Sequence, residues 1–209
     1  MWTETEPQVQ QCLNNALIDS RHEVMIKNFA GIPILQQHGS ADDNVPVFHA
    51  RRMQQLIATE NGANKVAYNE CEGKGHWYDG VLSTEALRKF YHNVASSVEA
   101  PELPSHFKII VPNPATMGSR AGLKIDMLLS PQRSGTLEVD RTRFVGRWTL
   151  CTSNISRFHF LDPPVTRNLP LVVSIDGQTF EFGRYSDLFG GTFVLNDQRL
   201  WDARPSSHF

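Results

Sequence analysis

The sequence predicts an α/β region, a parallel sheet with flanking helices, over residues 1–100, followed by a mainly β region, sandwich-like or barrel-like, over residues 101–209. Three observations lead there. Between residues 32 and 98 the pattern runs strand, turn, helix, strand, loop, helix, and strands that alternate with helices imply a parallel sheet. Beyond Pro101 and Pro104 the apolar positions change to alternation, in short runs at even spacing. Within that second region Asp176-Gly177 separates two such runs and gives a two-residue hairpin signal.

Taken in order, residues 8–28 are polar with scattered apolar positions and fit one short helix. Gly31 to Gly39, with Ile32, Ile34 and Leu35, reads as a short buried strand closed by a glycine turn. Ser40 to Asn44 is turn chemistry, and Pro46 suits the first turn of a helix, where its missing N–H costs nothing. Phe48, Met53, Leu56 and Ile57 give that helix its stripe, and Asn61-Gly62 ends it. Lys65 to Cys71 is a second strand, and Gly73 to Gly80 a glycine-rich loop. The next helix carries Leu87, Phe90, Tyr91, Val94 and Val98 on one face, with Ser83 or Thr84 as its cap. Two strands are too few for a stable parallel sheet, so this region reads as the tail end of something larger.

Residues 100–105, rich in proline, read as a linker. Strands are then expected at Lys108–Val111, Leu123–Leu129, Thr136–Val139, Arg147–Thr152, Leu171–Ile175, Gln178–Phe180 and Thr192–Leu195. Trp148, Phe158 and Phe160 are assigned to the core of this β region.

Composition excludes several function classes. The net charge is −2 and no Lys/Arg cluster stands out, so no nucleic-acid partner is expected. No apolar run reaches the roughly 18 residues that span a bilayer, so no membrane partner is expected either. Met1 to Pro7 has neither the basic nor the apolar stretch of a secretory leader. Cys12, Cys71 and Cys151 are far apart and form no Cys-x-x-Cys, which indicates neither a disulfide framework nor a zinc site. On that ground a reducing, cytoplasmic compartment is favoured.

The stretch that carries chemistry is His38-Gly39-Ser40-Ala41-Asp42-Asp43-Asn44-Val45-Pro46, with Gly75-His76 34 residues beyond Asp42. Asp42 and His76 each follow a candidate strand, and in a parallel sheet loops at the strands' carboxyl ends gather functional groups. A carboxylate bonded to one imidazole nitrogen fixes the tautomer and leaves the other nitrogen to act as a base. Asp42 also suits a plain turn-forming role, Asp43 is the alternative acid, and His76 also suits a loop histidine without chemistry. A metal site from His38, Asp42, Asp43 and His76 lacks the paired-histidine spacing of the common motifs, and no metal or cofactor is expected. His38 reads as structural, closing the strand end.

The segment from about Gly31 to Val98 resembles the C-terminal end of the prolyl-oligopeptidase-type catalytic domain, an α/β-hydrolase. His38, Gly39, Asp42, Val45 and Pro46 match its His-Gly-x-x-Asp-x-x-Val-Pro pattern, and Gly75 and His76 match its later Gly-His. The resemblance implies a Ser-Asp-His peptidase with a peptide substrate, Asp42 as the acid and His76 as the base. Its nucleophile motif, Gly-x-Ser-x-Gly, is absent from residues 1–209; Gly118-Ser119-Arg120-Ala121-Gly122 has its serine one place too early and reads as a loop. The expectation is therefore a fragment that is inactive by itself and supplies only the acid and histidine. An esterase of the same fold and a non-catalytic interaction module are the alternatives. Residues 101–209 resemble the β-rich extension of some large members of the family.

Overall fold

The computed structural model describes residues 6, 7, 9, 13, 16–18, 21–61, 66–97, 104–142, 146–161, 170–188 and 190–204. They group into two compact units, Phe29–Pro104 and a second made of Met1–Asn28 with Ser105–Phe209. The expected helix stop at Gly62, strand start at Lys65, helix position Val98 and linker positions 100–103 lie outside the described residues, as does Cys12.

In the first unit β1 (Ile34–Gly39) and β2 (Val66–Cys71) pair in parallel, with His38 opposite Glu70 and Gly39 opposite Cys71. Helix α1 (Val47–Asn61) makes the crossover between them and packs on both. Ala50, Ile57 and Val66 are the unit's buried apolar residues among those described. Helix α2 (Glu85–Ser96) is capped by Thr84, whose hydroxyl accepts the Leu87 N–H at 3.3 Å. That bond satisfies one of the free donors of its first turn. No residue of α2 is buried; in its apolar stripe Leu87 and Phe90 are half-buried while Tyr91 and Val94 are exposed.

The second unit holds the other nine strands and the main core. Strands β3 (His106–Val111), β5 (Gly135–Asp140), β6 (Arg147–Ser153), β8 (Val172–Ile175) and β9 (Gln178–Glu181) form one sheet in that order. It is antiparallel except for β6 with β8. Strands β11 (Trp201–Arg204), β10 (Thr192–Leu195), β7 (Ile155–Phe160) and β4 (Leu123–Leu128) form a second, antiparallel sheet. A one-turn helix, α3 (Tyr185–Leu188), precedes β10. Alternate residues of both sheets enter one core: Ile109, Leu137, Leu150 and Ile175 from the first, Leu123, Phe158, Phe160 and Phe193 from the second. Period-two burial from two facing sheets makes this unit a β-sandwich. Near its start, residues His22–Phe29 form a 3-10 helix, and Asn28 accepts the Ile110 N–H at 2.7 Å while donating to the Ile110 carbonyl at 2.8 Å.

The fold class is therefore mainly β, and the α/β expectation is overturned. The described residues hold eleven strands in two-, four- and five-stranded sheets against three α-helices. The expected parallel sheet with flanking helices, the C-terminal part of an α/β-hydrolase, reduces to the β1–β2 pair with α1 packed on it. The physical reason is burial. A sheet covered on both faces buries its strands as near-continuous apolar runs, whereas β1 is half-buried at every residue except Gly39.

Two corners of the sandwich depend on side chains that brace a left-handed backbone. Asn154 (φ 57°) passes the chain from β6 straight to β7, and its amide donates to the Ser130 and Arg133 carbonyls at 2.9 and 2.7 Å. Asp176 (φ 49°) and Gly177 (φ 91°) make the β8–β9 hairpin turn. The Asp176 carboxylate accepts the Thr152 N–H and hydroxyl at 2.8 and 2.6 Å, and the Trp201 indole N–H at 2.9 Å. Trp201 is buried, so removing its acceptor strands a polar N–H in the core. Asp176→Ala is expected to cost about 1–3 kcal/mol in urea denaturation. Asp176→Asn, which keeps an acceptor and tolerates the turn, should cost less.

Candidate active site

The parallel register brings the ends of β1 and β2 side by side, and the loops leaving them are stitched together. Ser40 N–H donates to the Cys71 carbonyl at 3.0 Å, Ala41 N–H to the Lys74 carbonyl at 2.9 Å, and Gly73 N–H to the Ser40 hydroxyl at 2.8 Å. Gly39 allows this closeness. A Cβ placed on it would lie 2.3 Å from the Lys74 carbonyl oxygen and 2.5 Å from that of Gly75.

On this platform Asp42 and His76 meet. His76 Nδ1 lies 2.9 Å from Asp42 Oδ2 and 3.2 Å from Oδ1. Asp42 Oδ1 also accepts the Val45 and Asn44 N–H groups at 2.9 and 3.0 Å, an Asx turn that locks the carboxylate to its own loop. The bond from the Val45 N–H holds the Asp42 carboxyl below the usual carboxylate range; desolvation opposes this, while His76 and the Asn44 N–H reinforce it. Asp42 is therefore a carboxylate at neutral pH and can only accept, which places a proton on His76 Nδ1. Nε2 of His76 has no hydrogen-bond partner among the described residues, and the side chain is 33% exposed against 4% for Asp42. Trp77 meets the His76 ring edge-on at 5.1 Å between centroids and is otherwise exposed.

Of the residues singled out from sequence, Asp42 and His76 come together, and Asp43 is exposed on the turn. His38 is nearer to the chemistry than a strand-closing role implies: its Nε2 lies 2.9 Å from the Val45 carbonyl oxygen and 3.3 Å from Asp42 Oδ2. Ser119 lies in the other unit. Among the described residues no group of three His, Cys, Asp or Glu side chains is arranged to hold a metal ion. Sequence reasoning missed the role of Gly39; the signal was its place between a strand residue and the acid's turn, and nothing in the letters gives the distance to the second loop.

Supporting contacts surround the pair. Glu70, opposite His38, is bound by Arg51 through Nε at 2.9 Å and through a second guanidinium N–H, and by the Tyr68 hydroxyl at 2.9 Å. The Arg51 guanidinium pulls the Glu70 carboxyl down to about 2. Tyr78, two residues past His76, donates to Cys71 Sγ at 3.1 Å, and desolvation pushes its phenol up to about 12.

No family model matches the chain. A protein of Arthroderma benhamiae described as an uncharacterized secreted protein is 38% identical over 182 residues, which is 86% of this chain. The chain spans 19% of the length of that relative. The crystal structure of TT1662 from Thermus thermophilus aligns with 46% of this chain and 37% of its own, at 21% identity and a TM-score of 0.35, a likeness too low to carry an argument. No described helix is long and apolar enough to cross a membrane.

Proposed function

We propose that Asp42 and His76 are the acid and base of a serine-type peptidase site of the prolyl-oligopeptidase kind, with the nucleophilic serine supplied by polypeptide outside these residues. The observation that carries the reading is the 2.9 Å contact between His76 Nδ1 and Asp42 Oδ2, with Nε2 left without a hydrogen-bond partner among the described residues. In this reading the serine hydroxyl gives its proton to Nε2 as its oxygen attacks the scissile carbonyl. Asp42 holds the imidazole in position and stabilises the imidazolium, and Nε2 then returns the proton to the leaving amine. The motif match at His38-Gly39-x-x-Asp42-x-x-Val45-Pro46 and Gly75-His76 favours this family. The relative's length leaves ample chain for a nucleophile, and its description as secreted supports an extracellular protein. The cytoplasmic placement drawn from the unpaired cysteines gains no support from that relative.

The test has two arms. The 209-residue chain alone should not react with a fluorophosphonate probe, and labelling of it would overturn the claim that the nucleophile lies elsewhere. In the longer polypeptide that contains this chain, Asp42→Asn should lower kcat for aminoacyl or prolyl anilides by about 10⁴-fold with KM little changed. Full activity in Asp42→Asn would end the proposal. Cleavage of p-nitrophenyl esters without cleavage of the anilides would assign an esterase instead.

A further inference from the structure

We propose that His38 is a positioning residue for this site, one that holds the free oxygen of the Asp42 carboxylate in line with His76. The inference rests on the Asp42–His76 reading and extends it to a residue outside the acid–base pair.

The case begins with the two oxygens of Asp42. Oδ1 is committed to its own loop by the Val45 and Asn44 N–H groups. Those bonds set where the carboxylate sits but leave Oδ2 with only the side chains that approach it. Among the described residues two do: His76 Nδ1 at 2.9 Å and His38 Nε2 at 3.3 Å. The Asp42 side chain is only 4% exposed, so water offers little to hold Oδ2. The carboxylate turns about its Cβ–Cγ bond as one unit, so its aim at His76 depends on how firmly the loop that holds Oδ1 is fixed, and His38 braces that loop at the Val45 carbonyl.

The protonation of His38 follows from its partners. Nε2 faces the Val45 carbonyl oxygen at 2.9 Å and a carboxylate oxygen at 3.3 Å. Both groups only accept, so Nε2 must carry a proton. That N–H donates to the loop carbonyl, and the ring nitrogen stands at ion-pair distance from Oδ2. It ties the carboxylate to the same residue, Val45, whose N–H already binds Oδ1. His38 thereby closes a ring of contacts, through Val45 and Asp42, at the end of β1. The charged and titratable groups around it are Asp42, Glu70 across the β1–β2 pair, and Arg51 and Tyr68, which bind Glu70. The Val45 and Asn44 N–H groups on Oδ1 and the His76 N–H on Oδ2 stabilise the anion, so Asp42 orients His76 without taking its proton.

The experiment is proton and nitrogen NMR on the 209-residue chain. In the unmodified chain His38 must show a protonated Nε2, and an unprotonated Nε2 overturns the proposal with no variant needed. The His76 Nδ1 proton should give a slowly exchanging, far-downfield signal. In His38→Ala that proton should exchange at least about tenfold faster, the equivalent of one lost hydrogen bond. His38→Gln, whose side-chain amide nitrogen can reach the place of Nε2, should restore slow exchange. An unchanged signal in His38→Ala, or a folded His38→Gln that behaves like the alanine variant, would overturn the positioning role. Asp42→Asn separates the two levels: if it leaves the His76 signal intact, the Asp42–His76 reading itself fails, whatever His38 does.

Discussion

Phe193→Ala is expected to destabilise the β-sandwich by about 3–5 kcal/mol, the range for truncating a buried phenylalanine. Phe193 is 1% exposed and belongs to both halves of the core. Its ring stacks on Phe158 at 5.1 Å and meets Phe160 edge-on at 6.1 Å, both within its own sheet. It also meets Phe180 of β9, in the facing sheet, at 5.3 Å, and Phe182 at 6.3 Å. Removing the ring costs its own transfer free energy and leaves a cavity whose walls are rigid aromatics on two sheets, which collapse poorly. The aromatic pairings add about 0.5–1.5 kcal/mol each beyond area burial. Guanidinium denaturation followed by tryptophan fluorescence measures the loss, since Trp148 and Trp201 both lie in this core. A loss below about 1 kcal/mol would mean that the sheets repack around the gap and that Phe193 does not join them.

The strands around that core were legible where their burial alternates. In β3 and β5 every second residue is buried, and both were readable from Ile109, Val111, Leu137 and Val139. Strand β7 was not, although Ile155, Phe158 and Phe160 are all fully buried. It follows β6 with only Asn154 between them, and a sheet change at one left-handed asparagine leaves no glycine or proline to mark it. Its register against β4 also shifts at a bulge near Met127, which breaks the period. Strand β11 escaped because only Trp201 of its four residues faces the core. The error in fold class has a different origin. Strand–helix alternation reports which elements follow one another, and that order exists over residues 34–96. It does not report how many strands join the sheet, and the nine strands elsewhere decide the class. At the site, the meeting of Asp42 with His76 was legible because both follow strands that pair in parallel. The contact from His38 was not, because it depends on a ring crossing back over its own turn to Val45.

Gly39→Ala should open the Asp42–His76 contact by about 1 Å, the scale of misplacement that costs a catalytic site about 10²-fold in rate. The obstacle is space. The new methyl would lie 2.3 Å from the Lys74 carbonyl oxygen and 2.5 Å from that of Gly75, both backbone atoms that cannot rotate away. Relief requires the Gly73–His76 loop to lift off the end of β1. That strains the Ala41–Lys74 and Ser40–Cys71 hydrogen bonds and carries His76 with it. Gly75→Ala is the internal control. It is adjacent to His76, yet its added Cβ would meet nothing nearer than the Ala41 carbonyl oxygen at 3.9 Å, an ordinary contact. The two variants make the same chemical change on opposite sides of one seam, so general loop disturbance predicts similar effects and close packing predicts different ones. The slowly exchanging His76 Nδ1 proton should vanish in Gly39→Ala and persist in Gly75→Ala. In the longer polypeptide the same order should appear in kcat. Equal behaviour of the pair would show that the seam at Gly39 does not set the distance between acid and base.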